Sequence, residues 1–146
     1  MAFFKDLETL LEMVIEWENK LTDFYDVAEI ALRDEESKKM LEFIRSNHDK
    51  ILLILKDTHI EEYGQDEWIK YAPDFNVKDL IPIGKIKRDS PPKEIIRNIL
   101  EFEEKVKEFY STISEKIISN EAKELFNSLV KLKSKQIFEL KTVLDI

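Results

Sequence analysis

The 146-residue sequence contains no cysteine and only two glycines and four prolines. Without cysteine the chain cannot form disulfides, cysteine-ligated zinc sites or iron–sulfur clusters, and it cannot use a thiol as a nucleophile. A P-loop or a G-x-G-x-x-G turn needs several glycines close together, so both of these nucleotide-binding motifs are excluded. No apolar run approaches the ~18 residues that a membrane span requires.

The charge balance argues against polyanionic partners. Lys and Arg number 23 against 31 Asp and Glu, which gives a net charge of −8. The summed electrostatic field therefore repels nucleic acid and anionic membranes. The first residues are followed closely by three charged residues, Lys5, Asp6 and Glu8. We therefore do not expect this stretch to be the apolar region of a signal peptide. With the lack of cysteine, these features lead us to expect a cytoplasmic protein that binds neither nucleic acid nor membrane.

The residues that interrupt helices lie close together in the chain. All the glycines and prolines fall between positions 64 and 92, and the sequence on either side is rich in Glu, Lys, Leu and Ile. Asp34 and Asn120 each precede an acidic residue, the typical start of a helix. We predict one domain over 1–146, with a helical hairpin at 5–63, a crossover at 64–91 and a second hairpin at 92–146. The four helices are expected near 5–33, 35–63, 91–119 and 121–146.

Apolar residues in each predicted helix alternate in steps of four and three, the spacing of a seam that faces other helices. A polar residue interrupts every seam: Glu18 in the first helix, His48 in the second, Glu103 in the third, and Lys133 and Gln136 in the fourth. The pattern predicts an all-α, antiparallel four-helix bundle with a few polar side chains in its core.

The two predicted hairpins match each other when one is shifted by 85 residues. Glu18 is followed after five residues by Phe24-Tyr25, and Glu103 by Phe109-Tyr110 in the same spacing. We interpret the halves as duplicated hairpins joined by one long crossover.

Together, the duplicated E-x5-F-Y motif, the long crossover and the four helices resemble the ferritin-like superfamily, specifically its rubrerythrin-like branch. In that family the first and third helices each supply a Glu, and the other two each supply a Glu-x-x-His pair, to hold two iron ions. The resemblance implies Glu18 and Glu103 as metal ligands. The remaining ligand positions depart from the family, because they hold His48 with Ile51 and, in the second copy, Lys133 with Gln136.

These departures leave three interpretations of the core. In the favoured one, the Lys133 ammonium lies between the carboxylates of Glu18 and Glu103 with no cofactor, and His48 and Gln136 complete the hydrogen bonds. Tyr25 and Tyr110 lie near enough along their helices to bond the carboxylates. The second interpretation has Glu18, Glu103 and His48 bind one Fe, Zn or Mn ion. The third is a di-iron centre that draws on residues flanking the seam: Glu16, Glu101 and Glu104.

We therefore expect a rubrerythrin-like bundle with a degenerate di-iron site that is non-catalytic and acts as a structural or partner-binding protein. The alternative is an iron-dependent oxidoreductase or metal-handling protein of the rubrerythrin type. A weaker option is a small apolar ligand bound in the core. The run from Ile51 to Leu55 is apolar on all sides of its helix, so we also expect a homodimer that covers part of it.

Overall fold

The computed structural model describes residues 3–57, 68–71 and 91–144, which include four long helices. Helix α1 spans Leu7–Ala31 and α2 spans Glu35–Lys56. Helix α3 spans Pro92–Lys116 and α4 spans Asn120–Leu144. Short connections join α1 to α2 and α3 to α4. Within these ranges, the four long helices predicted from the sequence are confirmed.

Local capping explains where the first two helices begin. The Asp6 carboxylate accepts a hydrogen bond from the Thr9 amide at 2.8 Å, so α1 begins at Leu7 rather than at residue 5. The Asp34 carboxylate accepts from the Ser37 amide at 3.0 Å, which confirms the predicted start of α2. The hydrogen bonds that Asp34 accepts from Ser37 also lower the pKa of the Asp34 carboxyl.

The predicted ends of α1 and α3 extend too far. Helix α1 ends two residues early and α3 three residues early, because Leu32 and Ile117 adopt extended backbone conformations as C-caps. Helix α2 ends at Lys56, and Asp57 caps it. The predicted continuation of that helix to residue 63 lies outside the described residues.

The four helices share one apolar core. Its members come from the predicted seams, including Val14, Ile44, Ile99 and Leu129, none of which is exposed. Helix α1 packs on α2, α2 on α4, and α4 on α3. Ring contacts such as Trp17 with Phe109, at a centroid distance of 4.7 Å, join α1 to α3 and close the ring of helices. The polar interruptions of the seams therefore face the centre of the molecule.

A short antiparallel ladder joins β1, Phe3–Asp6, to β2, Trp68–Tyr71. Phe3 pairs with Tyr71 and Asp6 with Trp68. Sequence analysis places no strand here, because such pairing depends on contacts between distant segments rather than on local periodicity. The ladder ties the segment before α1 to part of the predicted crossover. The remaining crossover residues, at 64–67 and 72–90, lie outside the described residues.

The apolar run in α2 is only partly covered. Ile51 and Leu55 are buried in the core, Leu52 and Ile54 are half-buried, and Leu53 is 61% exposed. The homodimer expected from this run stays a prediction.

No helix in the described ranges is sufficiently long and apolar to cross a bilayer.

Candidate functional site: a buried ion network

Three charged side chains meet at the centre of the bundle. Glu18 of α1, Glu103 of α3 and Lys133 of α4 are each 0% exposed. The Lys133 Nζ lies 2.9 Å from Glu18 Oε1 and 2.9 Å from Glu103 Oε2. It also donates a hydrogen bond to Glu18 Oε2 at 3.1 Å. One ammonium therefore bridges two carboxylates from different hairpins, in the arrangement that the sequence predicted for these three residues.

Two buried tyrosines bond the same carboxylates across the hairpins. The Tyr110 hydroxyl of α3 donates to Glu18 Oε1 on α1 at 2.6 Å. The Tyr25 hydroxyl of α1 donates to Glu103 Oε1 on α3. The contacts are reciprocal, since each hairpin supplies one donor and one acceptor. Sequence analysis predicted contacts between these tyrosines and the carboxylates without specifying that they cross between hairpins.

His48 approaches the network from α2 and is buried. Its Nδ1 lies 3.0 Å from Glu18 Oε2, within ion-pair distance but without hydrogen-bond alignment. Its Nε2 lies 3.1 Å from the hydroxyl of Thr22, which also contacts the Glu18 carbonyl at 3.4 Å. The Tyr25 ring packs edge-on against the imidazole. His48 is thus held beside Glu18 by contacts on three sides.

The surroundings of each group explain the directions of the pKa shifts. Burial by itself raises the pKa of Glu18, but Lys133, His48 and the Tyr110 hydroxyl outweigh it and lower that pKa to about 2. Burial disfavours the Lys133 ammonium, yet the two carboxylates more than compensate and raise its pKa. Burial and the neighbouring carboxylates raise the pKa of Tyr25 and Tyr110 well above the ordinary value. Lys133 and Glu18 are therefore charged, and both tyrosines are neutral donors, at neutral pH.

Gln136 does not complete the network as predicted. Its side-chain amide donates instead to the Ile44 carbonyl of α2 at 3.2 Å. The reason is geometric: Gln136 lies one turn beyond Lys133, where α4 packs against α2. A similar bond runs from α2 to α4: the Asn47 side-chain amide donates to the Leu132 carbonyl at 2.8 Å.

Asn47 and Thr22 were missed by the sequence analysis. Both flank the apolar seams, and a polar residue beside a seam usually faces solvent. The only available signal for Asn47 was its position next to His48.

The flanking acidic residues considered as alternative iron ligands lie on the surface. Glu16 pairs with Lys20 at 3.1 Å and Glu101 with Lys105 at 3.2 Å. Glu104 lies 3.5 Å from Lys141. All three glutamates are exposed, so they do not join the two buried carboxylates.

The donor set at the core does not fit a di-iron centre. Besides Glu18 and Glu103 it offers one imidazole, and an ammonium is in contact with both carboxylates. A dication near that ammonium would be repelled by it. Across residues 3–57, 68–71 and 91–144, no group of three or more His, Cys, Asp and Glu side chains is arranged to hold a metal ion.

No protein-family model, curated protein or solved structure matches this chain.

Proposed function

We propose that this chain is a non-catalytic bundle protein with a ferritin-like arrangement, in which a buried ion network takes the position of a metal centre. Its role is structural or partner-binding, in the cytoplasm. The observation that carries the proposal is the Lys133 ammonium, 2.9 Å from each of two fully buried carboxylates.

The contacts between α1 and α3 support an antiparallel arrangement of duplicated hairpins. Glu18 is bonded by Tyr110, and Glu103 by Tyr25. The earlier residue of each helix thus meets the later residue of the other, as in two helices that run in opposite directions. The glutamates are 85 residues apart, and so are the tyrosines. His48 and Lys133 are separated by the same interval and each contacts the glutamate of its own hairpin.

Electrostatics favours a network without metal. Two unpaired carboxylates in a dry core would cost several kcal/mol each, so they require a compensating cation. Lys133 supplies that cation, and its ammonium is in contact with both carboxylates.

The same contacts argue against a catalytic lysine. An amine acts as a nucleophile only when it is deprotonated, and both carboxylates stabilise the charged form of Lys133. The Lys133 side chain is also fully buried. We propose that the group maintains the bundle instead of transforming a substrate, and that the assembled protein is a homodimer.

Metal analysis tests this function. The protein is purified from cells supplied with iron, zinc and manganese, and its metal content is measured by mass spectrometry. We expect no stoichiometric metal. A stoichiometric iron content would overturn the proposal and favour the alternative, an oxidoreductase or metal-handling protein.

The variant Lys133→Glu provides the matched comparison. It removes the ammonium and presents a third carboxylate beside Glu18 and Glu103, so we expect it to take up a divalent ion under the same conditions. Equal metal content in the parent protein and this variant would contradict the idea that Lys133 replaces a cation.

A further inference from the structure

The buried polar contacts have a spacing that matters for how the two hairpins dock. In each hairpin the glutamate and the tyrosine are seven residues apart: Glu18 with Tyr25, and Glu103 with Tyr110. Seven residues is also the repeat of the apolar seams on α1 and α3. If α3 slid along α1 by one such repeat, most apolar contacts would be replaced by other apolar contacts. Packing of apolar residues alone therefore discriminates weakly between these registers.

The polar residues respond differently to the same displacement. In the observed register Glu18 meets Tyr110, and Glu103 meets Tyr25. Sliding by seven residues in one direction would bring Glu18 opposite Glu103. Sliding by seven residues in the other direction would bring Tyr25 opposite Tyr110. Either displacement breaks both donor–acceptor pairs and places like groups together.

From this reciprocal pattern we infer that the Glu–Tyr pairs, with Lys133 between the carboxylates, select one docking register of the two hairpins. The inference rests on the antiparallel arrangement proposed above and goes beyond it, because it assigns the network a task. A polar group at a seam position typically fixes register at some cost in stability. Asn47 and Gln136 add reciprocal amide-to-carbonyl bonds between α2 and α4 at the same level.

Two core variants of the full chain separate register selection from simple stabilisation. The first carries Glu18→Met, Glu103→Met and Lys133→Met together with Tyr25→Phe and Tyr110→Phe, which makes the centre apolar. The second carries Glu18→Gln, Glu103→Gln and Lys133→Met, which removes the charges and retains the tyrosines. Circular dichroism establishes that each variant is helical and cooperatively folded.

Distances between spin labels then report the register. The chain has no cysteine, so Glu12→Cys and Glu101→Cys provide the only labelling sites. Both positions are exposed, one on α1 and the other on α3. A slip of seven residues displaces the labels by about 10 Å along the helix axis, given a rise of ~1.5 Å per residue. Pulsed electron paramagnetic resonance resolves a displacement of this size.

We expect one distance population in the labelled parent and additional populations in the apolar variant. The charge-free variant should have a narrower distribution of distances than the apolar variant. A single distance, equal to that of the parent, in a folded apolar variant would overturn the inference. Failure of both variants to fold would overturn it as well, since the network would then be required for stability rather than for register. Neither result depends on metal content. Failure of the proposed function would instead appear in the metal analysis, so the two failures are distinguishable.

Discussion

Lysine–glutamate pairs occur in two contrasting regions of the bundle. On the surface, Lys20 pairs with Glu16 and Lys105 with Glu101, each one helical turn apart and each side chain at least 41% exposed. In the core, Lys133 contacts its two glutamates with no exposure at all. Water screens the surface pairs, whereas the core group depends on its protein partners. Loss of the lysine should therefore have a small effect on the surface and a large effect in the core.

The sharpest way to expose this difference is to remove the central ammonium. Lys133→Met leaves two carboxylates buried without their shared cation, and we expect it to lower the free energy of unfolding by about 3–5 kcal/mol. Urea denaturation followed by circular dichroism gives this value. Lys135→Met, at an exposed position on the same helix, is the control and should have little effect.

Rescue of the Lys133→Met variant tests whether buried, uncompensated charge causes its loss of stability. Adding Glu18→Gln and Glu103→Gln to Lys133→Met removes the stranded charges, so much of the lost stability should return. If the triple variant is no more stable than the single one, the loss came from packing around residue 133 and the buried-charge explanation is wrong.

Acid titration provides a second comparison between the two regions. The folded-state pKa of Glu18 is about 2, below the ordinary 4.5, so its contribution to stability is complete above about 4.5 and is lost as the pH falls towards 2. We expect unfolding free energies of the parent to fall across this window more steeply than those of Glu18→Gln. Glu16→Gln, which changes a surface pair, should retain the parent's dependence on pH.

Removing one hydroxyl should give a smaller effect. Tyr110→Phe keeps the ring but leaves Glu18 without one of its charged-acceptor hydrogen bonds, so we expect a loss of about 1.5–3 kcal/mol. Tyr25→Phe should behave alike because of its reciprocal bond with Glu103. Thermal and urea denaturation of the two variants would show whether the two halves contribute equally. A large inequality would contradict the expectation that the two reciprocal bonds contribute equally.

The smallest effect is expected on the surface. Lys20→Met and Lys105→Met each remove an exposed pair, and each should change the free energy of unfolding by no more than about 1 kcal/mol. Added salt should reduce the difference in stability between each variant and the parent, because it screens the exposed pairs. A loss comparable with that of Lys133→Met would erase the distinction between the two regions.

The core contacts were predictable where they follow from periodicity. Glu18, Glu103 and Lys133 occupy positions that otherwise hold apolar residues, so the sequence places them inside, and their opposite charges indicate pairing. The N-cap at Asp34 was also predictable, because its hydrogen bond joins residues only three positions apart in the chain. The bond from Gln136 to Ile44 was not predictable, because its acceptor is a backbone carbonyl whose proximity depends on how α2 and α4 pack. The β1–β2 ladder likewise depends on segments far apart in the chain.

The shared ammonium of Lys133 also constrains how such a core can evolve. Replacing Lys133 first leaves two buried carboxylates without their shared cation, whereas replacing Glu18 or Glu103 first leaves one carboxylate paired with one ammonium. The order in which substitutions arise therefore decides whether a route to an apolar interior passes through a strongly destabilised protein.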